Sequence, residues 1–332
     1  TGERMIRGAV VDPQPREIAE RALFHKHHLH QSTRHENEIM ALKKVDEIRD
    51  DFALRGRSEL YRVDLKSMAS AHRLHQGINL RGHQVWASYE HFQEILAIRN
   101  QPADEELWDI VEFFSGHSDP NLFKERHALS QSEFRKLVQP LIRTGHIVQD
   151  FRGGFRSVFV PEGVDRAELR KEYIRKLVQK FPVITLRQMT QLAGPSFKPE
   201  ELKAVLNTFE EDGTLIKGFL IEDFHQVCWG RKEMLEEARS IPAIRDFVLP
   251  PSDPIAPYFA DIMKERFGFG SAYLVFRNAE PVAAFKANTR NKIIDVKDYE
   301  GSEKAWRIVK EFAWEHQMPL QTELRIGGKK LQ

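Results

Sequence analysis

A single cysteine, Cys228, stands in a chain of 332 residues. No disulfide can form within the chain, and a zinc site built on paired cysteines is excluded. A reducing, cytoplasmic setting is the expectation that follows. Long apolar runs are missing too: nothing approaches the roughly 18 consecutive apolar residues of a membrane span, and no basic-apolar-small leader opens the chain. A surplus of one charge is also absent, with 50 basic against 49 acidic residues and a net charge of +1. That excludes a protein coating DNA with its whole surface, and leaves DNA binding to a local basic face. The phosphate loop G-x-x-x-x-G-K-[ST], the G-x-G-x-x-G turn and the metalloprotease string H-E-x-x-H do not occur. Gly268-Phe-Gly270 is too short to replace them. No ATP hydrolysis and no cofactor are expected. The first residue is Thr, which points to a fragment of a longer protein.

What the sequence does contain is one cassette written twice. Phe134, Leu137, Val138 and Leu141 repeat 68 positions later as Leu202, Val205, Leu206 and Phe209. This i, i+3, i+4, i+7 spacing makes an apolar helix stripe. Gly145 and Gly213 follow where a helix end needs a residue tolerant of positive φ. Ile147-Val148 and Leu215-Ile216 can then start a strand, and aromatic-rich turn segments reach to Phe159 and Trp229. Helix, glycine stop and hairpin form the back half of a winged helix.

The expected fold class is α+β, with tandem winged-helix modules followed by a small β-rich, barrel-like domain. Residues 1–58 read as a helical segment, with one stripe from Ile18 to Leu23 and another from Ile39 to Phe52. Residues 59–101 form a small mixed module in which Tyr61–Leu65 alternates like a strand and 85–96 runs from strand into helix. The first winged helix is 102–162, with a helix at 103–115, a break at Pro120 and a cap at Ser130 or Ser132. The second is 163–240, with a long helix from 165 to 180, a helix at 186–193 and a turn at Gly194-Pro195. It is expected to be the more complete of the two. Residues 241–332 hold strands at 272–276, 282–285 and 292–296, a helix near 302–316 and a last strand at 320–326.

Arg135, Lys136 and Arg143 on the first cassette's helix, Arg152 and Arg156 on its wing, and Lys203 in the second copy are the candidate nucleic-acid contacts. A recognition helix offers such residues to phosphates and base edges; the plainer alternative is a solvated helix face. Glu210-Glu-Asp212 ends the second helix beside Lys203 and Lys217, so the first copy is expected to dominate. Histidines stand at 25, 27, 28, 30 and 35. Without cysteine partners they read as a polar helix end rather than a metal site. Asp253, held among prolines, reads as a turn or strand-start cap.

Residues 248–258, Val-Leu-Pro-Pro-Ser-Asp-Pro-Ile-Ala-Pro-Tyr, resemble the (T/S)DPxxPY stretch in the C-terminal region of large helicase-related (Lhr) proteins. The strand pair from Tyr273, the closing Leu320–Gly328 and the span from Leu74-His-Gln-Gly77 to Arg99 are similar to that region in the same order. The layout also resembles AlkZ/YcaQ-type DNA glycosylases, in which winged helices precede a β-barrel and a Gln-x-Asp motif is catalytic. This chain has no Gln-x-Asp; Gln131-Ser-Glu133 and Gln321-Thr-Glu323 are the nearest strings. The resemblance implies a DNA-binding accessory region of a helicase or repair protein. Its expected partners are DNA, single-stranded or damaged, and a helicase motor domain, with no membrane and with self-association left open. A DNA glycosylase and a protein-docking scaffold are the alternatives.

Overall fold

The computed structural model describes residues 13–27, 29, 46–57 and 64–332. The chain starts with α1 (Arg16–Lys26), α2 (Asp51–Gly56) and α3 (Leu65–Ala71). Asp50 and Asp64 cap the latter two by accepting backbone N–H bonds from Phe52 and Ser67. Leu65 therefore begins a helix, not the end of a strand: an Asp cap beside the apolar positions outweighs a short alternation. Tyr61–Val63, and Ile39, Leu42 and Val45 of the second expected stripe, lie outside the described residues. Ile48 bridges to Trp86 in extended form instead of continuing that helix.

A hairpin, β1 (His75–Ile78) and β2 (Gln84–Ala87), leads into α4 (Tyr89–Arg99). Next come α5 (Trp108–Gly116), α6 (Pro120–Arg126) and α7 (Gln131–Thr144). Pro120 does not simply break the chain. It occupies the first turn of α6, where its missing N–H costs nothing and its fixed φ suits the helix. The first cassette therefore also has a helix before its long helix. Ser130 and Glu133 form a reciprocal capping box on α7. Phe134, Val138 and Leu141 point inward against Phe114, Phe123 and Phe155. Gly145, at φ 86°, ends the helix. A hairpin of β3 (Ile147–Asp150) and β4 (Phe155–Ser157) follows, and β1 pairs with β3, so the sheet order is β2-β1-β3-β4.

The second cassette follows α8 (Arg166–Val178). Strand β5 (Val183–Thr185) runs straight into α9 (Leu186–Ala193), capped by Thr185 and Gln188. Then come α10 (Pro199–Glu211), β6 (Ile216–Gly218) and β7 (Cys228–Gly230), in sheet order β5-β7-β6. Leu202, Leu206 and Phe209 are buried, matching Phe134, Val138 and Leu141, and Gly213 has φ 83°.

After α11 (Lys232–Glu237), the last third holds β8 (Phe247–Leu249), α12 (Ala260–Phe267), β9 (Tyr273–Arg277), β10 (Glu280–Asn288) and β11 (Ile294–Gly301). It closes with α13 (Glu303–Glu315), β12 (Leu320–Thr322), β13 (Arg325–Ile326) and β14 (Lys329–Lys330). Five strands in the order β12-β11-β10-β9-β8 form a curled half-barrel. The expected last strand at 320–326 is two strands, because β13 turns back through Gly327-Gly328 to pair with β14. One face of the curled sheet packs on α13 through Val275, Phe285, Trp306, Val309 and Phe312. The other joins the main core, where Phe24 of α1 meets the stacked pair Phe247 and Phe276 edge-on, 4.9 Å from each ring centroid. Fully burying such a ring contributes about 1.5–3 kcal/mol, and here it ties the N-terminal helix to the C-terminal sheet. The whole is a mixed α+β fold.

Candidate functional site

A polar cavity of about 180 Å³ opens where several parts of the chain meet. Its walls are residues 46–57, the β1–β2 turn, α4, the end of α8 with Lys180, and the loop 252–255. The turn is built by Asn79, whose Oδ1 accepts from the backbone N–H groups of Arg81 (3.0 Å) and His83 (2.8 Å). This leaves Asn79 Nδ2 to donate to Glu47 Oε2 at 2.8 Å. The other oxygen of Glu47 meets His91 Nε2 at 2.9 Å. Next to it, Lys180 Nζ donates to Asp46 Oδ2 at 2.6 Å. Arg99 braces the turn from outside by donating to the carbonyls of Ile78 and Asn79.

Electrostatics keep both carboxylates charged. Burial works against the charge on Glu47, but the His91 and Asn79 bonds outweigh it and hold its pKa below the ordinary range. Burial also opposes charge on Asp46, and Lys180 overcomes it. His91 moves the other way: burial lowers it, Glu47 raises it more, and the net shift is upward. The cavity thus presents two adjacent ionised carboxylates, Asp46 beside the Lys180 ammonium and Glu47 beside the His91 ring. Arg57 and Asp253 close the floor as a buried ion pair.

His27 is the C-cap of α1 and donates Nε2–H to the Lys180 carbonyl at 2.8 Å. Burial and then the nearby Arg57 push its pKa down to about 3, so it stays neutral. His28, His30 and His35 lie outside the described residues. No group of three metal-ligating side chains is assembled among the described residues.

The sequence-derived contacts sit elsewhere. Arg135, Lys136 and Arg143 are exposed on α7, and Lys203 is exposed on α10. Arg152 and Arg156 are brought together, lining a groove with His72, Arg73, His75 and Tyr89. The Arg156 guanidinium stacks 3.5 Å from the Tyr89 ring centroid. Asp150, in the same groove, accepts from the N–H groups of Arg152 and Gly154 and organises the β3–β4 turn. None of the six residues lines the cavity. Asp253 does cap its turn, accepting from Ile255 N at 3.1 Å, and it also pairs with Arg57.

No protein-family model and no curated protein sequence matches this chain. Among solved structures, "Streptomyces sahachiroi DNA glycosylase AlkZ" is similar, with a TM-score of 0.62. The match covers 94% of this chain and 100% of that one, at 11% sequence identity. At that identity the likeness is one of fold.

Proposed function

We propose that this chain is a DNA-repair protein of the glycosylase kind, which takes a base out of DNA into the cavity holding Asp46 and Glu47. The observation that carries the reading is that pair: two adjacent carboxylates kept ionised in an enclosed site by Lys180, His91 and Asn79. The fold likeness to a protein named as a DNA glycosylase supports it. In the sequence, Asp46 ends the string Lys44-Val45-Asp46, with lysine where Gln-x-Asp has glutamine. The cavity's volume is below the roughly 300–1,000 Å³ of drug-sized ligand pockets, which suits one small ring system rather than an extended ligand.

The chemistry asks for what the site holds. A flipped nucleotide presents C1′ to the carboxylates. As the C1′–N bond breaks, its electron pair leaves with the base and the sugar becomes cationic, as in other glycoside cleavages. A carboxylate stabilises that charge and takes a proton from the water that adds to C1′. The proton passes on to the departing base, giving a free base and an abasic site.

We read the two cassettes as winged helices, with Arg152, Arg156, Arg135, Lys136 and Arg143 on the duplex backbone and Lys203 in a lesser role. A second reading, DNA binding without catalysis beside a helicase motor, is favoured by one fact: both carboxylates are already engaged by partners. One experiment separates the two. Duplexes carrying uracil or an alkylated purine are incubated with the chain, then cleaved with alkali at abasic sites. Strand cleavage that disappears in Asp46→Asn and Glu47→Gln supports excision; DNA binding without cleavage of any substrate supports the accessory role.

A further inference from the structure

Among the described residues, three large apolar side chains stand more than a third exposed: Trp108 at 46%, Phe159 at 41% and Trp314 at 77%. Two of the three, Trp108 and Phe159, line the same groove. The groove has a volume of about 780 Å³ and is continued by Leu96, Pro102, Val158 and Val160. It lies at the start of α5, away from the cavity and from the wing groove, with which it shares no residue. Paired aromatics left open on one groove are the usual mark of a contact surface rather than of a folding need.

Acidic side chains dominate the α5 side of the groove, where Glu105 lines it. Asp104, Glu105, Glu106, Asp109 and Glu112 are all exposed, and no Lys, Arg or His occurs from residue 100 to 116. The one guanidinium lining the groove, Arg166, donates to the Ala97 carbonyl at 2.6 Å. His146, also in the lining, is held toward its neutral form by burial and then by the Arg99 charge. Five carboxylates repel phosphate, so DNA is the wrong occupant. A second copy docking by the same face would set acid against acid across a two-fold axis. What fits both the apolar floor and the acidic rim is a basic amphipathic segment.

We propose that this groove docks such a segment of a partner protein. Apolar side chains spaced i, i+3, i+4 would cover Trp108 and Phe159, and Lys or Arg residues would meet Glu105, Glu106 and Asp109. The surface is independent of excision and of DNA binding, so a repair activity on one face can be recruited through another.

The test uses a fluorescein-labelled 14-residue peptide of Leu and Lys at amphipathic spacing, with the same peptide carrying Glu for Lys as control. Anisotropy is read against the full chain, and duplex binding is read in parallel. The Lys peptide should bind and the Glu peptide should not. Trp108→Ala and the triple change Glu105→Lys, Glu106→Lys and Asp109→Lys should each weaken the Lys peptide at least tenfold. Trp108→Ala should leave thermal melting and duplex affinity unchanged, which keeps this test separate from the excision reading. Equal binding of both peptides, or Lys-peptide binding indifferent to both variants, would overturn the proposal. A concentration-dependent dimer in sedimentation that Trp108→Ala abolishes would make a second copy the occupant and overturn it equally.

Discussion

Arg57 and Asp253, 196 residues apart in sequence, meet in a two-point ion pair at 2.7 and 2.9 Å, with each side chain only 1% exposed. Arg57 also donates to the Ala53 carbonyl at 3.0 Å, so the pair fixes α2 to the loop before α12. Removing one partner of a buried pair leaves a charge with no water and no counterion, at about 3–5 kcal/mol. Asp253→Ala should therefore lower stability in urea by roughly that amount. Asp253→Asn keeps an oxygen for the Ile255 N–H and should recover only the turn's share. An Asp253→Ala chain as stable as the parent would mean the pair holds nothing together.

Glu20 raises a second question of buried charge, and here no hydrogen-bond partner stands beside it. It is 3% exposed on α1, and neither carboxylate oxygen has a hydrogen bond among the described residues. Burial raises its pKa from 4.5 to about 8, against the pull of Arg16 and Arg266. The folded chain thus keeps a proton that the unfolded chain loses first. Stability from this group is complete below about pH 4.5, falls as pH rises toward 8 and is flat beyond. Glu20→Gln should remove that decline, giving a gain of several kcal/mol at pH 8, at about 1.4 kcal/mol per pKa unit, and almost none at pH 4. Parallel urea curves for the two chains across this range would show that Glu20 ionises freely.

Local chemistry is legible in the sequence, and convergence of distant residues is not. Ser130, Glu133, the Phe134–Leu141 stripe and Gly145 lie within sixteen residues and state a capped, stopped helix without reference to anything else. Tyr61–Leu65 misleads because a short alternation carries less information than the Asp64 cap within it. The cavity has no sequence signature at all. Asp46, Asn79, His91 and Lys180 arrive from four separate parts of the chain, and each alone is an ordinary polar residue. Asp253 looks unusual for its prolines, yet its partner Arg57 cannot be named until the fold brings it there.

The Glu47–His91 bond gives the excision reading a pH signature. Because Glu47 lies below the ordinary carboxylate range, activity should persist into acid until that depressed value is crossed. Because His91 is raised, the charged pair is complete below about pH 6.5 and is lost as pH climbs through the higher folded value. His91→Gln keeps a hydrogen-bond donor and removes the cation. Its acid limb should shift upward toward the ordinary glutamate range, with excision reduced yet measurable. Glu47→Gln should cut excision by about 10²-fold or more and leave duplex affinity within a few fold. An unmoved acid limb in His91→Gln would detach His91 from the chemistry.

On the basic surfaces, Arg152 and Arg156 have the advantage of company. They share a groove with Arg73, so three guanidiniums lie together there, against the two carboxylates of Glu90 and Asp150. In the second cassette Lys217 is engaged, donating to Asn207 at 3.1 Å and lying 5.2 Å from the Trp229 ring centroid. Arg152→Ala with Arg156→Ala should weaken duplex binding and flatten the salt dependence by about 0.9 log units for each phosphate no longer neutralised. Arg135→Ala with Lys136→Ala should do the same to a smaller degree, and Lys203→Ala with Lys217→Ala should do least. The reverse ranking in fluorescence anisotropy, with all variants folded, would move the interface to the second cassette.

The two helix-stopping glycines look equivalent in sequence and are not equivalent in space. Both have positive φ, 86° at Gly145 and 83° at Gly213, so an alanine at either costs about 1 kcal/mol in backbone strain. At Gly213 the added methyl meets nothing within 4 Å, and the cost ends there. At Gly145 it would lie 2.9 Å from Arg99 Nη1. Arg99 is the side chain that donates to the Ile78 and Asn79 carbonyls, and Asn79 in turn holds Glu47. Gly145→Ala should therefore displace Arg99, loosen the turn and reduce excision as well as stability. Gly213→Ala should lose the same strain energy and no activity. Measured side by side, a melting loss in Gly145→Ala at least as large as in Gly213→Ala, with an activity defect in Gly145→Ala alone, would establish the path from helix stop to cavity. Equal activity in the two would show that the turn stands without Arg99.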